Sequence, residues 1–330
     1  MKAILVTGGA GYVGSVVIRE LLTAGYRIIC VDKLNFGGAS ILSIWNHPNF
    51  IFYKCDITDF DKLNDILINQ EYYAVIHLAA IVGDPACAHA PDLAKAVNWI
   101  ASKFLIDRAV ELGIKKFIFA STCSNYGRMN NLSEYVTEES PLAPVSLYAE
   151  LKVKFEKYMC NEIGILKGFC PVALRFSTVY GISPRMRFDL TVNEFTKELS
   201  LGRELVVFGK QFWRPYCHVR DFSKVFLTIL NTNPRKIAYQ VYNVGSTSEN
   251  YTKKMLINEI KKFIPTSNVK YVHKNEDPRD YKVSFEKIKK DLGFEPSMTV
   301  PKGIQEIKEI IDLGIISNPD ESFYYNVSSN

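Results

Sequence analysis

The stretch ILVTGGAGYVGS, residues 4–15, joins a short apolar run to closely spaced glycines. The apolar run predicts a buried strand, and the residues after the glycines predict a helix. Gly9, Gly11 and Gly14 have the spacing GxGxxG, and with Gly8 in place of Gly9 the spacing is GxxGxxG. Glycine here permits a tight turn and close approach of the main chain to a diphosphate. The stretch therefore predicts a dinucleotide site at the N-terminus of the first helix, whose free amides face the phosphates.

Two acidic residues farther along the chain favour a bound nucleotide over a glycine turn with no ligand. The second predicted strand ends at Asp32, and Asp56 follows the third in the sequence KCDITD. The carboxylate of Asp32 is expected to accept hydrogen bonds from the ribose 2′-hydroxyl and to repel a 2′-phosphate, so the sequence predicts NAD rather than NADP. Asp56 is expected at the adenine edge. The predicted cofactor contacts are Gly8, Gly11, Tyr12, Val13, Gly14, Asp32, Lys33, Asp56, Ile57, Leu78, Ala79, Ala80, Tyr148 and Lys152.

Strand-like and helix-like stretches alternate through the first half of the chain. Apolar strand-like runs lie at residues 3–7, 27–32, 50–54, 74–78, 117–120 and 172–176. Helix-like stretches lie at residues 12–24, 62–68, 93–112 and 147–163. This alternation predicts an α/β fold with a Rossmann-type doubly wound parallel sheet and helices on both faces. After about Gly181 the segments shorten, which predicts a smaller C-terminal region.

The composition limits the classes of protein to which the chain can belong. Its 330 residues are 47% hydrophobic, enough for a large core. The net charge of +5 comes from scattered basic residues, so we expect no nucleic-acid partner. The 7 cysteines form no metal-ligand spacing, so we expect reduced thiols and no metal. We see no signal peptide and no apolar run near the ~20 residues of a membrane span, so we expect a cytoplasmic protein with no membrane partner.

A cluster of hydroxyl groups follows the fifth predicted strand, in the sequence KKFIFASTCSNYG. Thr122 lies at its carboxyl end, where parallel sheets bind ligands. Tyr148 and Lys152 are one helical turn apart and share a face, although such pairs are also common on helix surfaces. An ammonium group and a nicotinamide cation would both lower the pKa of a nearby phenol. The predicted catalytic residues are therefore Thr122, Tyr148 and Lys152. Together they would take a proton from the hydroxyl group of a sugar or alcohol while hydride passes to the nicotinamide.

The order of several motifs resembles that of one enzyme family. The motifs are TGGAGYVGS, HLAA, STCSNYG, the YxxxK of Tyr148 and Lys152, and LRFSTVYG. From Lys2 to about Ile311 the chain resembles the extended short-chain dehydrogenases/reductases, in the group of NAD-dependent nucleotide-sugar epimerases and dehydratases. The resemblance implies a nucleotide-diphosphate sugar as substrate and a smaller α/β C-terminal substrate-binding region. We expect residues 1–180 to form mainly the NAD-binding domain and 181–330 mainly the substrate-binding region, with about 210–250 returning to the first domain.

The two residues after Thr122 distinguish the reactions of this group. Sugar 4,6-dehydratases that resemble this chain have Asp-Glu there, whereas this chain has Cys123 and Ser124, which do not readily supply an acid and a base for loss of water. Epimerases that act at carbons 3 and 5 have a cysteine where this chain has Ser124, and we expect Cys123 to be a small buried neighbour. The resemblance thus implies epimerisation at carbon 4 through a transient 4-keto sugar.

Two other functions stay open at this point. A nucleotide-sugar 4-ketoreductase or 4-dehydrogenase with net NAD(H) turnover would use the same residues. An NAD-binding sensor without catalysis is the other alternative, and the presence of Thr122, Tyr148 and Lys152 argues against it.

The resemblance also implies contacts with the substrate. Arg214 and Arg279 match positions that clamp a diphosphate, for which the planar guanidinium is suited. Thr178 stands where relatives often have an amide that touches the substrate, which leaves the nucleotide base open. The predicted substrate contacts are Asp84, Ser124, Thr178, Arg187, Asn193, Arg214 and Arg279.

Two further expectations concern a loop and the assembly. Asp84 and His89 follow the fourth strand, where they either contact sugar hydroxyls or belong to a loop that simply packs near the nicotinamide. The helices at 93–112 and 147–163 carry apolar residues beyond one face. In relatives these helices pair across a two-fold axis, so we expect a homodimer.

Overall fold

A seven-stranded sheet dominates the computed structural model, which describes residues 2–129, 131, 133–273 and 279–326. The strands are β1 (Ala3–Thr7), β2 (Arg27–Asp32), β3 (Phe50–Lys54), β4 (Ala74–His77), β5 (Lys116–Thr122), β6 (Cys170–Phe176), β7 (Thr178–Tyr180), β8 (Leu205–Phe208), β9 (Trp213–His218), β10 (Gln240–Val244), β11 (Asn250–Thr252) and β12 (Val269–Val272). The main sheet has the order β10-β6-β5-β4-β1-β2-β3, and all its pairs are parallel. The predicted Rossmann-type α/β fold is confirmed.

Helices cover both faces of this sheet. They are α1 (Tyr12–Thr23), α2 (Phe60–Ile68), α3 (Asp84–His89), α4 (Pro91–Lys95), α5 (Ser102–Glu111), α6 (Leu147–Lys157), α7 (Thr191–Ser200), α8 (Val219–Asn231), α9 (Pro234–Ile237), α10 (Lys253–Phe263), α11 (Glu286–Leu292) and α12 (Val300–Asp312). Ile4 and Val6 of β1 pack in the core beneath α1 and α8, whereas Leu5 points to the core beneath α2, α5 and α6. Alternate residues of one strand therefore fill two cores, which is why the strands are apolar without interruption.

The order of the strands creates a crevice at β1. The chain moves from β1 towards β3 on one side, and from β4 towards β6 on the other. Connections that diverge from one point leave a crevice at the carboxyl ends of the strands, where ligands bind. The end of β1 carries the glycine-rich turn, so the crevice and the turn coincide.

The second half of the chain builds a separate core and also returns to the main sheet. Strands β8 and β12 pair, β9 lies between β7 and β11, and the helices α7, α10 and α12 pack with them. Strand β10 extends the main sheet beside β6, and α8 packs on α1. The division near residue 180, with a return over 210–250, remains our proposal for the domains.

The long helix predicted at 93–112 is interrupted by a widened turn. A π-helical segment, Ala96–Ala101, separates α4 from α5, and a second one, Tyr158–Glu162, follows α6. In the first, the side chain of Asn98 accepts a hydrogen bond from Ile81 N (2.8 Å) and donates one to Ile81 O (2.9 Å). Widened turns of this kind often occur at functional sites. Here the turn ties the loop after β4 to the helices.

Lys116 joins the two halves of the chain inside the protein. Its side chain is 1% exposed, and its Nζ donates to the carbonyl oxygens of Ile229 (2.9 Å), Leu230 (2.8 Å) and Thr232 (2.8 Å) at the end of α8. An ammonium group is favourable there because the last carbonyls of a helix have no partner within the helix.

We expect Lys116→Met to lower the free energy of unfolding by about 3 kcal/mol, because three buried carbonyl groups lose a charged donor. Urea unfolding followed by circular dichroism measures this change. Lys115→Met is the matched control, since Lys115 is exposed next to it. Equal losses in the two variants would contradict the role of Lys116.

Candidate active site

A cavity of about 740 Å³ opens at the carboxyl ends of the parallel strands. Its wall combines the glycine-rich turn, the ends of β2, β4, β5 and β6, helix α6 and the segment between β7 and α7. Residues of both halves of the chain therefore face the same space.

The glycine-rich turn has no room for side chains. Gly8 has a φ of +73°, and a Cβ atom on it would lie 2.6 Å from Ala79 N. A Cβ atom on Gly14 would lie 2.2 Å from Gly8 O. Helix α1 begins after Gly11, which has no side chain to cap the first amides, so the turn leaves them for a ligand. This cradle fits the diphosphate of a dinucleotide.

Asp32 is held in place by the main chain. Its carboxylate accepts hydrogen bonds from Ala10 N (3.0 Å) and Leu34 N (2.8 Å). Burial raises the pKa of Asp32, and these two amides lower it. The remaining lone pairs of the carboxylate suit a ribose diol. Nearby, Lys33 Nζ lies 2.8 Å from Asp56 Oδ2. All the residues predicted for the cofactor lie in the wall of the cavity, so the structure brings them together.

The three predicted catalytic residues also line the cavity. Thr122 ends β5, and its Oγ1 accepts a hydrogen bond from Ser124 N (3.1 Å). Tyr148 is in the first turn of α6, and Lys152 follows one turn later. The Nζ of Lys152 donates to Ala120 O (2.7 Å) and lies 5.8 Å from the centroid of the Tyr148 ring. The pair is thus in the cavity wall and not on an outer helix surface.

The pKa of Tyr148 differs from what the sequence predicted. Burial lowers the pKa of Lys152 to about 8. Burial raises the pKa of Tyr148 above its usual value, Cys87 and Asp84 raise it further, and Arg187 lowers it. The sequence predicted that neighbouring cations would lower the pKa of the phenol; in the protein alone, burial outweighs them. A further cation is required before Tyr148 ionises readily.

A buried ion pair lies behind the predicted catalytic residues. Arg175 Nη2 lies 2.8 Å from Glu156 Oε2, and the side chains are 6% and 4% exposed. Ser121 Oγ donates to Glu156 as well. Because these residues belong to β6, α6 and β5, the network joins the strand that carries Thr122 to the helix that carries Tyr148.

Cys123 points away from the cavity. The thiol donates to Arg175 O (3.2 Å), and burial raises its pKa well above the usual value. It is a small buried neighbour, as the sequence argument expected. Ser124, by contrast, lines the cavity, and the hydroxyl of Tyr281 lies 3.5 Å from its Oγ.

Asp84 and Arg279 form an ion pair in the cavity wall. Arg279 Nη1 lies 2.9 Å from Asp84 Oδ2, and Asp84 Oδ1 accepts a hydrogen bond from Ser146 Oγ (2.6 Å). The arginine predicted to hold a diphosphate thus already has an acidic partner. His89, at the end of α3, is exposed and outside the cavity wall.

The other predicted substrate contacts divide into two groups. Thr178 and Arg187 line the cavity, and Arg187 forms two hydrogen bonds with Asp189, of 2.9 and 2.7 Å. Asn193 is fully buried and outside the wall. Its amide is used within the protein, because it accepts from Gly181 N (2.9 Å) and donates to Arg187 O (2.8 Å).

Arg214 also lies outside the cavity wall. Its Nη1 donates to Trp213 O (2.6 Å), and its Cζ lies 5.3 Å from the centroid of the Tyr281 ring. The contacts with Trp213 and Tyr281 keep the side chain on β9.

Several residues in the wall were not assigned a role from the sequence. They are Phe36, Arg185, Asp189, Leu190, Thr191 and Asn326. The run GISPRMRF, residues 181–188, contains two arginines close together, and this pattern is the sequence signal for Arg185. Asn326 has no local signal, because only the fold brings the C-terminal segment to the cavity.

Comparison with known proteins identifies the family. The family described as "NAD dependent epimerase/dehydratase family" matches residues 4–245. The chain belongs to this family. Its members are NAD-dependent enzymes of the extended short-chain dehydrogenase/reductase type, so the predicted family and the predicted cofactor, NAD, are confirmed.

The relatives of this NAD-dependent enzyme include characterised types of epimerase. The chain is 30% identical to a UDP-glucuronate 4-epimerase of Thermodesulfobacterium geofontis, over 94% of this chain and 97% of that protein. It is 27% identical to the UDP-glucose 4-epimerase of Bacillus subtilis, over 92% of this chain and 94% of that protein. The crystal structure of the Thermotoga maritima UDP-glucose 4-epimerase with UDP-glucose superposes with a TM-score of 0.82 at 27% identity, covering 95% of this chain and 99% of the other.

The described residues contain neither a candidate membrane span nor a candidate metal centre. In the described part of the chain, no helix combines the length and the apolar character that crossing a membrane requires. Within the same residues, no group of three or more His, Cys, Asp or Glu side chains is arranged to hold a metal ion.

Lys152→Met tests the burial of the Lys152 ammonium group. The pKa of Lys152 is about 8 in the folded protein, below its ordinary value of 10.5. The unfolded chain binds the proton more tightly, so this residue makes stability rise with pH between those values. We expect the free energy of unfolding of the wild type, relative to Lys152→Met, to rise by about 3 kcal/mol across this window.

Urea unfolding at a series of pH values checks this expectation. Lys157→Met serves as the control, because Lys157 is exposed on the same helix. If the difference in free energy of unfolding between wild type and Lys152→Met does not change with pH, burial of the ammonium group does not destabilise the folded protein.

Proposed function

We propose that the protein is a nucleotide-sugar 4-epimerase that acts through a transient 4-keto sugar. The observation that carries the proposal is the position of Thr122, Tyr148 and Lys152 in one wall of the cavity that also holds the dinucleotide cradle. Relatives over nearly the whole chain are 4-epimerases of UDP-glucose and UDP-glucuronate, and this supports UDP-sugars as the substrate class.

Tyr148 removes the proton of the sugar's 4-hydroxyl group. Thr122 donates or accepts a hydrogen bond at the same oxygen and so orients it. Bound NAD would supply the chemistry that the side chains lack, as an acceptor and donor of hydride at carbon 4 and as the cation that buried Tyr148 requires for ionisation. Lys152, held by Ala120 O, keeps an ammonium group beside the ring.

The residues after Thr122 disfavour dehydration. Elimination of water needs an acid and a base beside the sugar. Cys123 is buried with a raised pKa, and Ser124 is an ordinary hydroxyl in the wall. Neither group replaces a pair of carboxyl groups. The site is therefore equipped for oxidation and reduction at one carbon.

Arg279 is the proposed partner of the substrate's diphosphate. The diphosphate would replace Asp84 as the partner of the guanidinium, which leaves the carboxylate available for sugar hydroxyls. With the substrate anchored through its diphosphate, the sugar can turn after oxidation, so that the hydride returns to the opposite face of carbon 4.

We propose further that the protein is a cytoplasmic homodimer. Ile100, on the π turn that follows α4, is 50% exposed, which supports burial of this helical face by a second subunit. Sedimentation at micromolar protein concentration tests the assembly.

Reaction in deuterium oxide tests the proposed function. Purified protein should interconvert UDP-glucose and UDP-galactose, or UDP-glucuronate and UDP-galacturonate, with no net change in NADH absorbance at 340 nm. The product should contain no carbon-bound deuterium, because the same hydride is returned. Deuterium at carbon 5 would indicate a dehydratase or a 3,5-epimerase, and stoichiometric formation of NADH would indicate a net dehydrogenase; either result rejects the proposal.

We expect Tyr148→Phe to reduce kcat about 1,000-fold, because the phenol oxygen moves the proton. Binding of UDP, measured by calorimetry, should not change. Tyr158→Phe is the control: its hydroxyl bonds Asp107 at 2.5 Å, outside the cavity wall, and its loss should leave kcat within about twofold of the wild type. A Tyr148→Phe variant with wild-type kcat would exclude Tyr148 as the base.

A further inference from the structure

Arg185, between β7 and α7, is a buried cation in the cavity wall. Its side chain is 4% exposed, and its Nε has no hydrogen-bond partner among the described residues. Its Nη2 makes one long contact, of 3.5 Å, with Tyr325 O. No carboxylate of the described residues pairs with it. Burial, and then the nearby Arg187, lower the pKa of Arg185 to about 10. A buried charge in this position is destabilising until an anion joins it.

Arg187, the neighbouring arginine, differs from Arg185 because it is bound to a carboxylate. Arg187 lies two residues farther along and also faces the cavity, but Asp189 binds it with two hydrogen bonds. That pair is internally neutral. Within the described part of this segment, Arg185 is the arginine that forms no ion pair, and Asp189 acts on it only from a distance, which raises its pKa.

The surroundings of Arg185 place it at the cofactor end of the cavity. Its Cζ lies 4.0 Å from the centroid of the Phe36 ring, in the loop that follows β2 and Asp32. Ser183, two residues earlier, donates to Tyr12 O (2.6 Å) in the first turn of α1. The segment thus lies against the N-terminus of α1 and the ribose side of the cradle.

We propose that Arg185 binds the diphosphate of NAD, opposite the glycine-rich turn. The amides at the start of α1 attract the same phosphates from the other side. Contact with Phe36 fixes the plane of the guanidinium, and its edge remains available for two parallel hydrogen bonds to phosphate oxygens. This inference rests on NAD as the cofactor and does not depend on the sugar chemistry proposed above.

The substrate's diphosphate is the other anion to consider. Arg279, its proposed partner, contacts Asp84 at the loop after β4, whereas Arg185 contacts Phe36 at the loop after β2. These observations favour the cofactor at Arg185. Because both ligands carry a diphosphate, the experiment must separate an adenine nucleotide from a uridine nucleotide.

Binding measurements on Arg185→Met test the proposal without an activity assay. NADH fluorescence gives the affinity for the cofactor, competition against NADH gives the affinities for ADP and adenosine, and calorimetry gives that for UDP. We expect the affinities for NADH and ADP to fall about 10- to 100-fold, and those for adenosine and UDP to stay within about twofold. Arg185→Gln is measured in the same way in case the Met variant does not fold.

Arg235→Met is the matched control, because Arg235 is exposed on α9 and outside the cavity wall. It should leave all four affinities unchanged. Three outcomes would overturn the proposal. A selective loss of UDP binding would assign Arg185 to the substrate, an equal loss for ADP and adenosine would assign it to packing alone, and unchanged NADH binding would show that it does not contact the diphosphate.

Discussion

The site depends on the close approach of the first β–α turn to the end of β4. A single Cβ atom on Gly8 would lie 2.6 Å from Ala79 N, so no side chain fits between them. This contact sets where α1 begins, and it leaves the helix amides open to the crevice at which the strand order reverses. The cofactor cradle, the end of β5 and helix α6 then face one space. The remaining parts of the site are arranged around that opening.

Charged side chains join the elements behind the wall that carries Thr122 and Tyr148. Glu156 and Arg175 are almost completely buried, and together they join β5, β6 and α6. Removing one partner of such a pair leaves an isolated buried charge, which costs about 3–5 kcal/mol. The same hydrogen bonds connect the strand that carries Thr122 to the helix that carries Tyr148.

The features that could be predicted from the sequence are those that a short local pattern determines. Buried strands are continuous apolar runs, so β1 to β6 and the residues at their ends, such as Asp32 and Thr122, could be predicted. Contacts between distant segments could not. Arg185 lines the cavity because its segment packs on α1. Asn193 does not line the cavity, because its side-chain amide is hydrogen-bonded to the main chain at Gly181 and Arg187. The π turn at Ala96–Ala101 escaped prediction because its cause is the contact with Ile81, outside the helix.

The ion pair of Asp84 and Arg279 places a counter-ion in the wall of the cavity. An anion that binds Arg279 competes with that carboxylate for the guanidinium. A free sugar carries no charge, and a monovalent anion carries too little charge to replace a carboxylate that belongs to the same chain. A diphosphate brings more than one charge and several acceptor oxygens. If Arg279 binds the substrate as proposed above, the pair would favour a nucleoside diphosphate over uncharged sugars and monovalent anions.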